Sequence, residues 1–173
     1  MGKYKYFEWL IPIKHYLDSE VTSKNEKWFD LGMPAIIAFV VSTIYFFIGL
    51  QTDAISKLNE ILPNILAILI GFSISAISVV ASSDKANYKK DIPEKYIGKE
   101  PLKVARYLLI IMIITLMIEI FLLVFILFVS FVKPIWSNGI MDWICLFVYT
   151  FLTLSIFAIL LRSVIYLYIA NYK

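Results

Sequence analysis

The stretch Asn64–Ser83, NILAILIGFSISAISVVASS, decides how this chain is read. It carries no charged residue, and a bilayer core takes about 20 apolar residues to cross as a helix. It is not evenly apolar. Asn64, Gly71, Ser75, Ser78 and Ser82 recur at helical spacing, so a 3.6-residue helix gathers them on one stripe. Ile65, Leu66, Leu69, Ile70, Phe72, Ile74, Ile77 and Val80 take the other faces. A small, hydroxyl-bearing stripe on a spanning helix fits a closely packed neighbouring helix or a wet pore better than lipid.

Working outward, the remaining apolar blocks predict three more spans. The whole set is 33–50, 61–83, 107–132 and 141–169. The 173 residues are 61% hydrophobic, with a mean hydropathy of +0.82, well above the roughly 45–50% apolar content of soluble domains. The expected fold is therefore an all-α integral membrane protein: four transmembrane helices, an interfacial or cytosolic N-terminal segment (1–32), and a basic loop (84–106). In the N-terminal segment, Lys3-Tyr4-Lys5-Tyr6-Phe7-Glu8-Trp9 alternates bases with aromatics, which suits a membrane interface or, with stacking rings, a nucleic acid. Ser23-Lys24-Asn25-Glu26 has the form of a capping box and predicts a short helix running toward Trp28 and Phe29. Gln51–Glu60 is expected to be a short polar connector, with Pro63 near the start of the second span.

Charge sets the orientation. Sixteen Lys and Arg are present; fourteen fall on the side of the termini and the 84–106 loop, and only Lys57 and Lys133 on the other. The positive-inside rule then puts both termini and the loop in the cytoplasm. The first ten residues hold Lys3, Lys5 and Glu8 with no cleavage-like site following, so no signal peptide is expected.

Glu119 and Arg162 fall well inside spans. Glu119 is near the middle of the third, where a carboxylate costs about 2.5–3.5 kcal/mol on insertion scales. It is either part of a pathway or bonded to a neighbouring helix. Arg162 lies one or two turns from Tyr166 and Tyr168 and is expected to snorkel to the headgroups. With one Cys (Cys145) and one His (His15), neither a disulfide within the chain nor a three- or four-ligand zinc site can form. No Walker loop, G-x-S-x-G or H-E-x-x-H occurs, so neither enzyme nor cofactor is expected.

If the stripe lines a pore, four helices of one chain are too few to enclose it, and a symmetric ring of copies is required. Its pathway candidates are Asn64, Gly71, Ser75, Ser78 and Ser82, with Phe72 as a constriction and Glu119 as a charged site. A cytosolic ligand would meet Lys3, Lys5, Tyr88, Lys89, Lys90, Lys95 and Arg106. The layout of a short basic N-terminal segment, four spans and a basic middle loop, with Leu69-Ile70-Gly71-Phe72-Ser73-Ile74 in the second span, resembles small four-span membrane effectors of bacterial anti-phage systems, closest to the Hailong effector. That resemblance implies a homotetrameric ion channel controlled by a DNA oligomer from a companion nucleotidyltransferase, and depolarisation in abortive defence. It assigns no site residue. Two other readings stand beside the channel: a proton-coupled small-molecule transporter using Glu119, and a membrane anchor for a cytosolic partner.

Overall fold

The computed structural model describes residues 10–83, 86–135 and 139–172. Four long helices dominate it: Lys24–Ile48, Gln51–Ala81, Val104–Val132 and Gly139–Tyr168 onward to Tyr172. Each is long and apolar enough to cross a membrane, and we call them the first to fourth spans. The second, third and fourth pack on one another, and the first lies along the fourth. The third is the most enclosed, with Leu108, Ile111, Leu122 and Ile126 essentially fully buried. Outward-facing Ile68, Phe47, Phe131 and Val79 are bare, as lipid-facing positions would be in a bilayer.

The first span starts earlier than its hydropathy suggests. Ser23 and Glu26 form the expected capping box, the Ser23 amide donating to Glu26 Oε2 at 2.7 Å and the Glu26 amide to Ser23 Oγ at 3.3 Å. From that cap the helix runs unbroken into the span, through a π-helical stretch at Trp28–Gly32. It ends at Gly49, whose φ of 78° is the left-handed cap that a residue without Cβ adopts cheaply.

The second span likewise replaces the expected connector. Gln51–Glu60 is helical and continuous with Pro63 and all that follows to Ala81. Three side-chain ties explain this. Thr52 Oγ1 donates to Asp142 at 2.6 Å, Tyr149 donates to Asn59 Oδ1 at 2.7 Å, and Lys133 donates to Thr52 O and Ser56 Oγ at 3.0 Å each. With Ile55 fully buried, tertiary packing outweighs the one backbone donor that Pro63 removes.

The 84–106 segment also departs from expectation: it is not all loop. Asp91–Ile97 and Glu100–Lys103 form an antiparallel hairpin, pairing Ile97 with Glu100 and Tyr96 with Pro101. Gly98, at φ 63°, supplies the positive φ that a two-residue turn demands. A short N-terminal helix, Ile11–Leu17, lies against the third span at the same end of the bundle.

Candidate functional site

Where the hairpin, the N-terminal helix and three spans meet, four charged side chains are gathered inside the protein. Glu26 and Asp30 come from the start of the first span, Lys95 from the hairpin and Arg162 from the fourth span. Their charges cancel. Lys95 Nζ donates to both Glu26 oxygens, at 2.7 and 2.8 Å, and to Val21 O at 3.0 Å. Tyr107 and Tyr166 each donate a phenol to Glu26 Oε1 at 2.7 Å. Arg162 sits 2.5 Å from Asp30 Oδ2 and 3.6 Å from Glu26 Oε1, and donates to Tyr107 Oη at 3.0 Å. Tyr16 of the N-terminal helix closes the set, donating to Asp30 Oδ2 at 2.6 Å.

The local sequence explains why these groups converge. The capping box that starts the first span fixes Glu26, so one carboxylate both caps a helix and anchors the cluster. The wider π turn carries Asp30, one helical turn on, inward to 0% exposure. Such turns recur at functional positions. Lys95 reaches in from the hairpin over the Tyr107 ring, 3.9 Å from its centroid. The hairpin itself is held by a hydrogen bond from Tyr96 N to Glu20 O at 3.2 Å. Burial pushes the Lys95 ammonium below the ordinary lysine range, with its Glu26 hydrogen bond opposing. Burial, then the hydrogen bond to Asp30, pushes the Tyr16 phenol above its ordinary value. Asp30 Oδ1 and Arg162 Nε have no hydrogen-bond partner among the described residues.

This cluster corrects two readings of the sequence. Arg162 does not snorkel: its side chain is only 7% exposed, because two carboxylates lie at its depth and attract it inward. Lys95 is not a free cytosolic ligand contact; it belongs to the protein's own ion pairs. Tyr88 is also taken, buried against Val80, Leu108 and Met112. Lys89, Lys90 and Arg106 remain on the surface, Arg106 loosely paired with Glu100 at 3.8 Å. Lys3 and Lys5 lie outside the described residues.

The second-span stripe is where the periodicity put it, on one face, and that face is uncovered. Asn64, Gly71, Ser75, Ser78 and Ser82 are all exposed in the protomer, and Phe72 beside them is 56% exposed. A Cβ on Gly71 would touch nothing. Ser75, Ser78 and Ser82 donate to their own helix, to Gly71 O, Ile74 O and Ser78 O at 2.8–2.9 Å. Glu119 does not join them. It points to the opposite side of the second span, at 0% exposure, and accepts from Ser73 Oγ at 3.1 Å, while its Oε2 has no partner among the described residues. No protein-family pattern, curated protein or solved structure matches the chain.

Sequence reasoning missed Glu26 and Asp30 as functional candidates. The usable signal was Arg162: a cation in an apolar span calls for a carboxylate at the same depth, and Asp30, beside the point where the first span becomes apolar, was one.

Proposed function

We propose that this protein is a homo-oligomeric channel of a bacterial inner membrane, opened or closed from the cytosolic side, where both termini and the hairpin lie. The observation that carries the reading is the uncovered stripe. Copies packed around a common axis through the second span would turn Asn64, Gly71, Ser75, Ser78 and Ser82 inward. The three serine hydroxyls, already bonded to helix carbonyls, would wet a narrow pathway without binding ions tightly. Phe72 would narrow it, and a hydrophobic constriction gates by dewetting.

The buried cluster supplies a means of control. Lys95 is the only one of its four charged members carried on the hairpin rather than on a spanning helix. The hairpin region presents Lys89, Lys90, Lys99, Lys103 and Arg106 outward. An anionic ligand, such as the DNA oligomer that the anti-phage resemblance implies, would engage that surface. Drawing the hairpin away would take Lys95 from Glu26 and leave the cluster one positive charge short. Three spans share the cluster, so its repacking would alter their relative positions. In defence, opening would depolarise an infected cell.

The transporter reading requires Glu119 to meet water in turn from each side. Full enclosure against Ser73 gives that reading less support than the stripe gives the channel. The deciding experiment is ion flux through purified protein in liposomes, read with a potential-sensitive dye. Wild type conducts; Ser75→Leu with Ser78→Leu abolishes the flux, and Glu119→Gln preserves it. Absence of flux from wild type with and without DNA oligomers, or flux unaffected by the double leucine variant, refutes the proposal.

A further inference from the structure

An apolar groove of about 620 Å³ opens between the N-terminal helix and the third span. Its walls include Ile13 and Leu17 of that helix, Leu31 of the first span, and Ile114, Phe121 and Val124 of the third. Tyr16 also lines it, but the phenol is engaged with Asp30 inside the protein. Ile114 to Val124 is ten residues, or about 15 Å of helix. That is the depth of one leaflet of a hydrocarbon core about 30 Å thick.

The mouth of the groove is not apolar. Two shallower clefts share its lip residues. One, sharing Ile13 and Leu17, is flanked by Lys14 and Asp18; the other, sharing Leu31, is flanked by Lys24 and Lys27. Lys27 is fixed there, its Nζ donating to Leu17 O at 2.6 Å, and an ammonium keeps two further N–H donors. Trp28, 58% exposed, stands beside Lys24 and Lys27, where an indole suits the headgroup level. Three lysines against one aspartate leave the mouth positive. Asp18 accepts from the Glu20 amide at 3.1 Å.

We infer that this groove holds one anionic phospholipid of the leaflet on the N-terminal side. An acyl chain would lie along the third span, and the phosphate would sit among Lys14, Lys24 and Lys27. Length, apolar walls and a cationic mouth at one end match a single lipid of that class. This inference requires the four spans but not the channel.

The test is native mass spectrometry of protein released from nanodiscs of equimolar phosphatidylglycerol and phosphatidylethanolamine. Wild type should retain one phosphatidylglycerol per protomer, favoured roughly tenfold, as expected for clustered lysines near a membrane surface. Lys14→Gln, Lys24→Gln and Lys27→Gln together, all outside the core, should abolish the preference. Ile114→Trp, which fills the groove, should abolish retention. Equal retention of the two lipids by wild type, or a preference unchanged in the triple glutamine variant, overturns the inference. So does a Met117→Cys variant that cross-links between copies through this face, because a second protomer would then be the occupant.

Discussion

Replacing Arg162 by methionine tests the cluster directly. The substitution keeps an unbranched apolar stem and removes the cation 2.5 Å from Asp30. Among the described residues, Asp30 then keeps only the Tyr16 phenol as a hydrogen-bond partner, in a position with no solvent exposure. Breaking a buried pair by removing one partner typically costs about 3–5 kcal/mol. The chain can escape by protonating the orphaned carboxyl. For an ordinary aspartate at pH 7 that costs about 4 kcal/mol, and at pH 5 about 1.5 kcal/mol. The penalty of Arg162→Met should therefore be about 3–4 kcal/mol at pH 7 and fall by more than half at pH 5. The assay is SDS-driven unfolding in mixed micelles, followed by near-UV dichroism of the buried tyrosines at both pH values. Asp30→Asn completes a double-mutant cycle. In the double variant no charge is stranded beside Tyr16, so its cost should be at least about 2 kcal/mol below the sum of the singles. A penalty under about 1 kcal/mol at pH 7, no relief at pH 5, or additive singles would show that the four charges do not form a cooperating unit.

Tyr107→Phe removes a hydroxyl that donates to Glu26 and accepts from Arg162, and should cost about 1–3 kcal/mol in the same unfolding assay. Glu119→Gln retains an oxygen for Ser73 and strands no charge, so its stability should lie within about 1 kcal/mol of wild type; a larger loss would show that Glu119 has a charged partner. Ser75→Leu with Ser78→Leu strands no polar group, since among the described residues both hydroxyls bond only to their own helix, and protomer stability should stay within about 0.5 kcal/mol of wild type, as for surface substitutions, while flux is lost. Alkaline titration should reveal Tyr16. Its phenol ionises near pH 10 when unfolded and only at higher pH when folded, so stability is intact below pH 10 and falls above it by up to about 1.4 kcal/mol per pH unit; Tyr16→Phe should make that slope shallower.

The spans were legible because apolar runs of the right length have few alternatives in a membrane protein, and the capping box because its partners are three residues apart. Both are local signals. The cluster is not local: Glu26 meets Lys95, Tyr107 and Tyr166 at separations of 69, 81 and 140 residues. Each partner also has an ordinary explanation where it stands, as a solvated lysine or an interfacial tyrosine. The Gln51–Glu60 helix was missed for a related reason. Its polar residues read as a connector in isolation, and only Asp142, Tyr149 and Lys133, all more than seventy residues on, give them partners. The hairpin was hidden because Pro93, Gly98 and Pro101 punctuate a charged stretch, and its inward residues, Ile92, Lys95, Ile97 and Leu102, include a base and break strict alternation where the register shifts.

The two polar features of the bundle are built on opposite principles, and that contrast bears on function. The hydroxyl stripe is satisfied by its own helix and asks nothing of the protomer, so it can be turned to lipid, to another copy or to water at little cost. The charge cluster is the reverse: Glu26 is held by Lys95, Tyr107, Tyr166 and the Ser23 amide together, and withdrawing any one leaves the others poorly matched in a medium where unpaired charge is expensive. A pathway benefits from the first property, because ions must not be bound tightly along it. A latch benefits from the second, because small displacements of a fully paired network carry a large free-energy difference. Lys95 is the member best placed to release such a latch, since its backbone is held by a hairpin rather than by a helix fixed in the bundle. Replacing Lys95 by methionine should therefore shift the resting open fraction in the flux assay, whereas Lys99→Met, on the hairpin but outside the cluster, should not. Equal effects from the two substitutions would mean that the surface charge of the hairpin, and not the cluster beneath it, sets the state of the proposed channel.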